Sequence, residues 1–129
     1  MITVTDAQNI VYKHAEQLGL PVYQFGNIPK GEVKKSRVTV RAKDLTEQTI
    51  WNPCFIEVNV CVPDKKDEAD SKMLNNYDRL AHKAFLEIVD RYDGSTYRIR
   101  WQSSHEESDA SLRCHYINIR LKFEILNVL

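Results

Sequence analysis

Between Cys54 and Val62 apolar side chains fall on every second position. Cys54, Ile56, Val58, Val60 and Val62 share one side, while Phe55, Glu57, Asn59 and Cys61 share the other. Successive side chains of a strand point to opposite faces, so this period predicts a strand half-buried on the first set. The period then changes. Met73, Leu74, Tyr77, Leu80, Ala81, Ala84, Phe85, Ile88, Val89 and Tyr92 recur at three- and four-residue steps, which predicts one long core helix over 69–92, stopped by Asp93-Gly94-Ser95. Alternation returns twice. Tyr97, Ile99 and Trp101 alternate with Arg98, Arg100 and Gln102, and Ile117, Ile119, Leu121, Phe123 and Ile125 alternate with Asn118, Arg120, Lys122 and Glu124. Both read as strands with one apolar face. Upstream of Ile117 the apolar positions shift to Leu112, Cys114 and Tyr116, a change of phase that a bulge would produce.

The N-terminal part is shorter in its periods. Thr5-Asp6-Ala7-Gln8 has the form of a capping box, and Ala7, Ile10, Val11, Ala15 and Leu18 recur at helical spacing before Gly19 and Pro21. A helix is therefore expected over 6–18. Val22-Tyr23-Gln24-Phe25 reads as a short extended segment, and residues 27–36, with Pro29 and Gly31, as a mobile polar loop. Val38, Val40 and Ala42 alternate with Thr39, Arg41 and Lys43, and Asp44-Leu45-Thr46-Glu47 can reverse the chain into 48–52. This predicts a projecting β-hairpin. Pro53 has no amide hydrogen, so a bulge or bend is expected where the hairpin meets the Cys54 strand. The expected fold class is α+β, an antiparallel sheet packed on two helices with a projecting β-hairpin.

Length and composition narrow the classes of function. At 129 residues, 43% hydrophobic and 28% charged, the chain fits one domain, 1–129, with a real core. Eighteen basic residues balance eighteen acidic ones, so there is no net field to attract a polyanion, which disfavours sequence-specific DNA binding. Met1-Ile2-Thr3-Val4 lacks a cationic leader, and no run approaches the length of a membrane span; a cytosolic product without membrane partners is expected. Three cysteines are an odd count for a disulfide framework, so free thiols are expected.

Candidate chemistry changes the picture little. Ser103 to Asp109 contains serine, histidine and acidic residues, but a triad needs groups converging from separate elements, and this run reads as a flexible polar hairpin loop. No G-x-S-x-G elbow, phosphate-binding glycine loop or H-E-x-x-H helix occurs. Cys54, Cys61, Cys114 and His115 invite zinc. However, Cys54 and Cys61 are an odd number of positions apart on one strand, and Cys114 and His115 are adjacent, so each pair divides between two faces. His14 and His82 receive no role. The expectation is a protein that is not an enzyme and uses no cofactor or metal.

The order of the elements carries the functional expectation. The helix ending at Gly19, the Pro21-Val22-Tyr23 segment, the Cys54 to Val62 strand, the Ala69 to Tyr92 helix and the Tyr97 to Trp101 and Ile117 to Leu126 strands together resemble the phage tail terminator, or tail completion, family. The resemblance covers nearly the whole chain. It implies a virion structural protein, made in the host cytoplasm and located in the tail or neck. Its members form a homo-oligomeric ring, typically a hexamer, that caps the tail tube and joins it to the head connector or a head completion protein.

Such a ring needs a head-to-tail interface that closes, not chemistry. Candidate interface residues are Lys34, Lys35, Arg37, Arg41 and Lys43, the apolar Ile50 and Trp51, and His105, Glu106, Glu107 and Asp109. The charged ones read equally as solvated loops, and Trp51 equally as a cap on its own core. Arg98, Arg100, Arg120 and Lys122 are candidate lumen-facing residues that could touch passing DNA non-specifically. The alternative is that they form the wet face of a sheet, with cross-strand pairs to Glu124 and Glu57. At the level of function the alternative is a small monomeric cytosolic domain that recognises peptide or nucleic acid through its sheet.

Overall fold

A computed structural model describes residues 2–42 and 54–127, without the side chain of residue 127. The chain runs through helix α1 (Val4–Ala15), a single 3-10 turn (Glu16–Leu18), strands β1 (Val22–Gln24), β2 (Arg37–Ala42) and β3 (Cys54–Pro63), and helix α2 (Ser71–Phe85). Strands β4 (Glu87–Tyr92), β5 (Ser95–Asp109) and β6 (Cys114–Asn127) complete it. The fold is mixed α+β. One six-stranded sheet is ordered β1-β2-β3-β6-β5-β4; β1 runs parallel to β2, and every other neighbour pair is antiparallel.

Helix α1 starts two residues earlier than its sequence pattern suggests. Thr3, not Thr5, is the cap. Its hydroxyl accepts from the Asp6 amide at 3.0 Å, and the Asp6 carboxylate accepts from the Thr3 amide at 3.0 Å. Asp is shorter than the Gln or Glu usual at that place in a capping box, and the same local chemistry was available two residues downstream. Gly19 sits in the left-handed region at φ 74 and closes the 3-10 turn, as its position after the last apolar residue predicts.

The expected long helix is divided. Helix α2 ends at Phe85, and residues 87–92 turn back as β4, paired with β5 from Glu87 opposite Arg100 to Tyr92 opposite Ser95. Asp93 and Gly94, at φ 49 and φ 79, form the two-residue turn of this hairpin rather than a helix stop. The polar run Ser103–Asp109 is likewise strand, not loop. It continues β5 against β6 from Ser103 opposite Arg120 to Asp109 opposite Cys114, and the reversal lies at Ala110–Arg113.

The core forms where the inner faces meet. Val38, Val40, Ile56, Val58, Val60, Ile99, Ile119, Leu121 and Phe123 from the strands pack with Ala7, Val11 and Ala15 of α1 and Leu74, Ala81 and Phe85 of α2, all at or below 1% exposure. Strand β2 lies between β1 and β3, so the predicted ribbon does not leave the sheet along 37–42. Its tip and return, with Lys43, Ile50 and Trp51, and the bend expected at Pro53, fall outside the described residues.

The phase change near Ile117 has a different cause from a bulge. Strand β6 pairs with β3 without a break from Cys114 to Phe123, and Cys114 lies on the opposite face, buried with Cys61 and Val33 in a second, smaller core against Leu112 and Tyr116. The loop between β1 and β2 closes over them. It is pinned there by the buried Val33, whose amide donates to the Leu112 carbonyl at 2.9 Å, which contrasts with the mobile loop expected from composition. The bulges lie elsewhere, where the β5 to β6 register skips Gln102 on one strand and Leu126 on the other.

Candidate functional site

Among the described residues no helix covers the second face of the sheet, and the register arranges its side chains in rows. Arg41, Glu57, Arg120 and Ser103 stand side by side across β2, β3, β6 and β5. The next row is Phe55, Lys122, Arg100 and Glu87, and the one beyond is Glu124, Arg98 and Val89. In the other direction come Thr39, Asn59, Asn118 and His105, then Arg37, Cys61, Tyr116 and Glu107. The face therefore grades from a basic end to an end sealed by the β1–β2 loop.

The four candidate lumen residues, Arg98, Arg100, Arg120 and Lys122, are brought together here. They are not all bare charge. The Glu124 carboxylate lies 2.6 Å from the Arg98 guanidinium and 3.2 Å from that of Arg100, and this contact, Arg98 first, holds its carboxyl below the usual range. Cross-strand pairing with Glu124 was the alternative reading of these arginines, and the geometry contains it. Arg120 lies 4.0 Å from the centre of the Phe55 ring, and Arg41 4.5 Å from that of Phe25. A cation held over a ring face is attracted by the ring quadrupole, so each aromatic orients its arginine. The sequence reading missed Phe25 and Phe55 in this role, although Phe55 shares its strand face with Glu57 and Asn59.

The candidate interface residues scatter. Lys34 and Lys35 are exposed in the β1–β2 loop, and Arg41 is exposed on β2. Arg37 is only 8% exposed; one guanidinium nitrogen donates to the Pro29 carbonyl at 3.4 Å, so it sits beneath the loop rather than on a surface. His105 Nε2 and the Glu107 carboxylate are 2.7 Å apart on β5, and the Tyr116 hydroxyl donates to the same carboxylate, which raises the phenol's pKa. Glu106 lies on the other face, opposite Ile117, beside a shallow cleft with Asn75 and Asp78 of α2. Asp109 is a turn former. It accepts from the Ser111 hydroxyl at 2.7 Å and the Leu112 amide at 3.1 Å, and these bonds lower its pKa.

The cysteines sort by face. Cys54 contacts the main core, while Cys61 and Cys114 share the small one as free thiols. Burial raises both, Cys114 to about 12, so they are protonated and unreactive where they stand. His115 faces the other way, 2.6 Å from the Asp64 carboxylate. Among the described residues no group of three metal-ligating side chains converges, and no helix is long and apolar enough to cross a membrane.

No family model and no curated protein matches the chain. One solved structure, which carries no functional description, aligns over 98% of this chain and 96% of its own with a TM-score of 0.66 at 11% identity. At that identity the likeness is one of fold, so the chain shares its α+β architecture with a known structure, and its function must be argued from its surfaces.

Proposed function

We propose that the chain is a virion structural protein, a tail terminator whose ring caps the tail tube and joins it to the head connector. The observation that carries this reading is a sheet with two different unpaired edges. Among the described residues β1 has a partner only in β2, and β4 only in β5. An open edge offers unpaired backbone donors and acceptors. Two unlike edges on one subunit suit a head-to-tail contact, which closes into a ring when its rotation allows. Strand β4 also exposes Val89 (55%) on the face away from the helices, apolar surface that a neighbour would cover. The helix-free face then provides a separate, mostly polar surface for tube or connector. The segment with Ile50 and Trp51 is proposed as a projecting ribbon that adds to the seam; it lies outside the described residues.

Absolute mass by light scattering after size exclusion, with negative-stain images of the same peak, tests the reading. A closed ring, hexameric by the resemblance, is the expected result. Subunits that wait for a template would stay monomeric alone but cap purified tail tubes; a monomer that also fails to cap tubes ends the proposal. Trp51→Ala is expected to reduce assembly more than folding, and equal losses of oligomer and of helical circular dichroism would contradict its place in the seam.

The second reading, a monomeric domain that binds nucleic acid or peptide through its sheet, draws support from Arg41 on Phe25 and Arg120 on Phe55 beside Lys122. It predicts a monomer whose affinity for nucleic acid falls steeply with salt.

A further inference from the structure

Helix α1 crosses the concave side of the sheet far enough to touch the opposite edge. Tyr92 of β4 donates its hydroxyl to an Asp6 carboxylate oxygen at 3.4 Å, and His14 Nε2 lies 3.3 Å from the Tyr97 hydroxyl of β5. Between these contacts is a cavity of about 480 Å³, walled by Tyr12, His14, Tyr92 and Tyr97 and bounded by Asp90 and Gln24. Its size is in the range of small-ligand sites.

The charge in this cavity is the key. Asp90 stands opposite Tyr97 in the β4–β5 register at the exposed mouth of the cavity; its carboxylate accepts from the Arg91 amide at 2.8 Å and has no ion-pair partner among the described residues. Lys13 is the one cation of the lining and is exposed on the rim. His14 adds no charge at neutral pH, because burial depresses its pKa more than the nearby Asp90 raises it. The two tyrosines are shifted by different neighbours. Tyr92 is shifted upward chiefly by Asp6, and Tyr97 by burial and then by Asp90.

We propose that this cavity binds an organic cation, an ammonium or guanidinium group on an aliphatic chain, with Asp90 as counter-ion and the rings of Tyr12 and Tyr92 as walls. Aromatic rings attract cations even at solvent-exposed sites, and the aliphatic stem gains from the apolar lining. Such a group could come from an arginine or lysine side chain of another protein or from a free polyamine. The site does not depend on ring assembly and stands or falls separately from it.

Nuclear magnetic resonance titration of the full chain tests it, with three probes: N-acetyl-arginine methylamide, putrescine and the neutral isostere N-acetyl-citrulline methylamide. Saturable shifts of the His14, Tyr92 and Tyr97 signals with a charged probe, and none with citrulline, are expected. Response to the arginine compound alone assigns the site to a protein side chain, and response to putrescine alone assigns it to a polyamine; either supports the proposal. Asp90→Asn should weaken binding by about fivefold or more, and Tyr12→Leu by a similar factor. No response to either cation, or equal response to citrulline, overturns the proposal without recourse to any variant.

Discussion

His14 shows how a residue that looks neutral in the sequence acquires a constraint from its neighbours. On α1 alone it is one more polar position; folded, it is half-buried against Tyr97 with Asp90 nearby on β4 and Lys13 beside it on its own helix. Its folded pKa lies below the ordinary 6.5, burial outweighing the opposite pull of Asp90. The unfolded chain therefore takes up a proton first as pH falls. The stabilisation is present above the unfolded pKa and is lost as pH drops through the folded one. His14→Gln, which cannot titrate, should give a flatter dependence of stability on pH as pH falls through and below the ordinary histidine value of 6.5 in urea melts. An unchanged slope would show that His14 is not the group responsible. Arg37 makes the complementary case. It belongs to a strand face that reads as polar and solvated, yet it is buried because the loop holding Pro29, eight positions upstream, folds back over it, a contact that no period along the strand encodes.

At the scale of elements, the division of the expected helix has a clear cause. Ile88 and Tyr92 are four positions apart, and four is both a helical step and an even number, so the pair shares one face of a helix and one face of a strand. Spacing alone could not separate the two. The local chemistry could: Ile88-Val89 is β-branched, and Asp93-Gly94 followed by alternating residues is a strong hairpin signal. Gly94 provides the test. At φ 79, with nothing within 4 Å of an added Cβ, Gly94→Ala meets only backbone strain, and a loss of about 1 kcal/mol is expected from a lower urea midpoint at unchanged slope. An unchanged or raised midpoint would contradict the turn. The polar stretch Ser103–Asp109 misled for another reason. Strand formation there is directed by the backbone ladder with β6, while its side chains are largely exposed, so no apolar alternation marks it.

For the molecule as a whole, the sheet's shape matters more than any single side chain. Among the described residues six strands without closure leave β1 and β4 as edges, and the proposed assembly uses them. Val89, on β4 and facing away from the helices, is exposed at 55%, so Val89→Lys should leave the fold intact. A charged side chain at an open edge opposes strand addition, so this variant is expected to shift the mass toward monomer at equal protein concentration with unchanged circular dichroism. An undiminished ring would remove β4 from the seam. The same edge strand contributes Asp90 and Tyr92 to the cation pocket on its inner side, so Asp90→Asn and Val89→Lys probe opposite faces of one element.

The sequence by itself determined the fold class, the positions of β3, β6 and both helix starts to within a few residues, and the inner face of each central strand. These follow from local periods, which burial on one side imposes directly on the chain. It also placed Arg98, Arg100, Arg120 and Lys122 on adjoining strand faces, since alternation fixes side even when partners are unknown. Only the tertiary structure decided the end of α2, the second core around Cys61 and Cys114, and the cavity between α1 and β4. Each of these depends on contacts between segments distant in sequence, and a period along one strand or helix reports that a face is covered without saying by what.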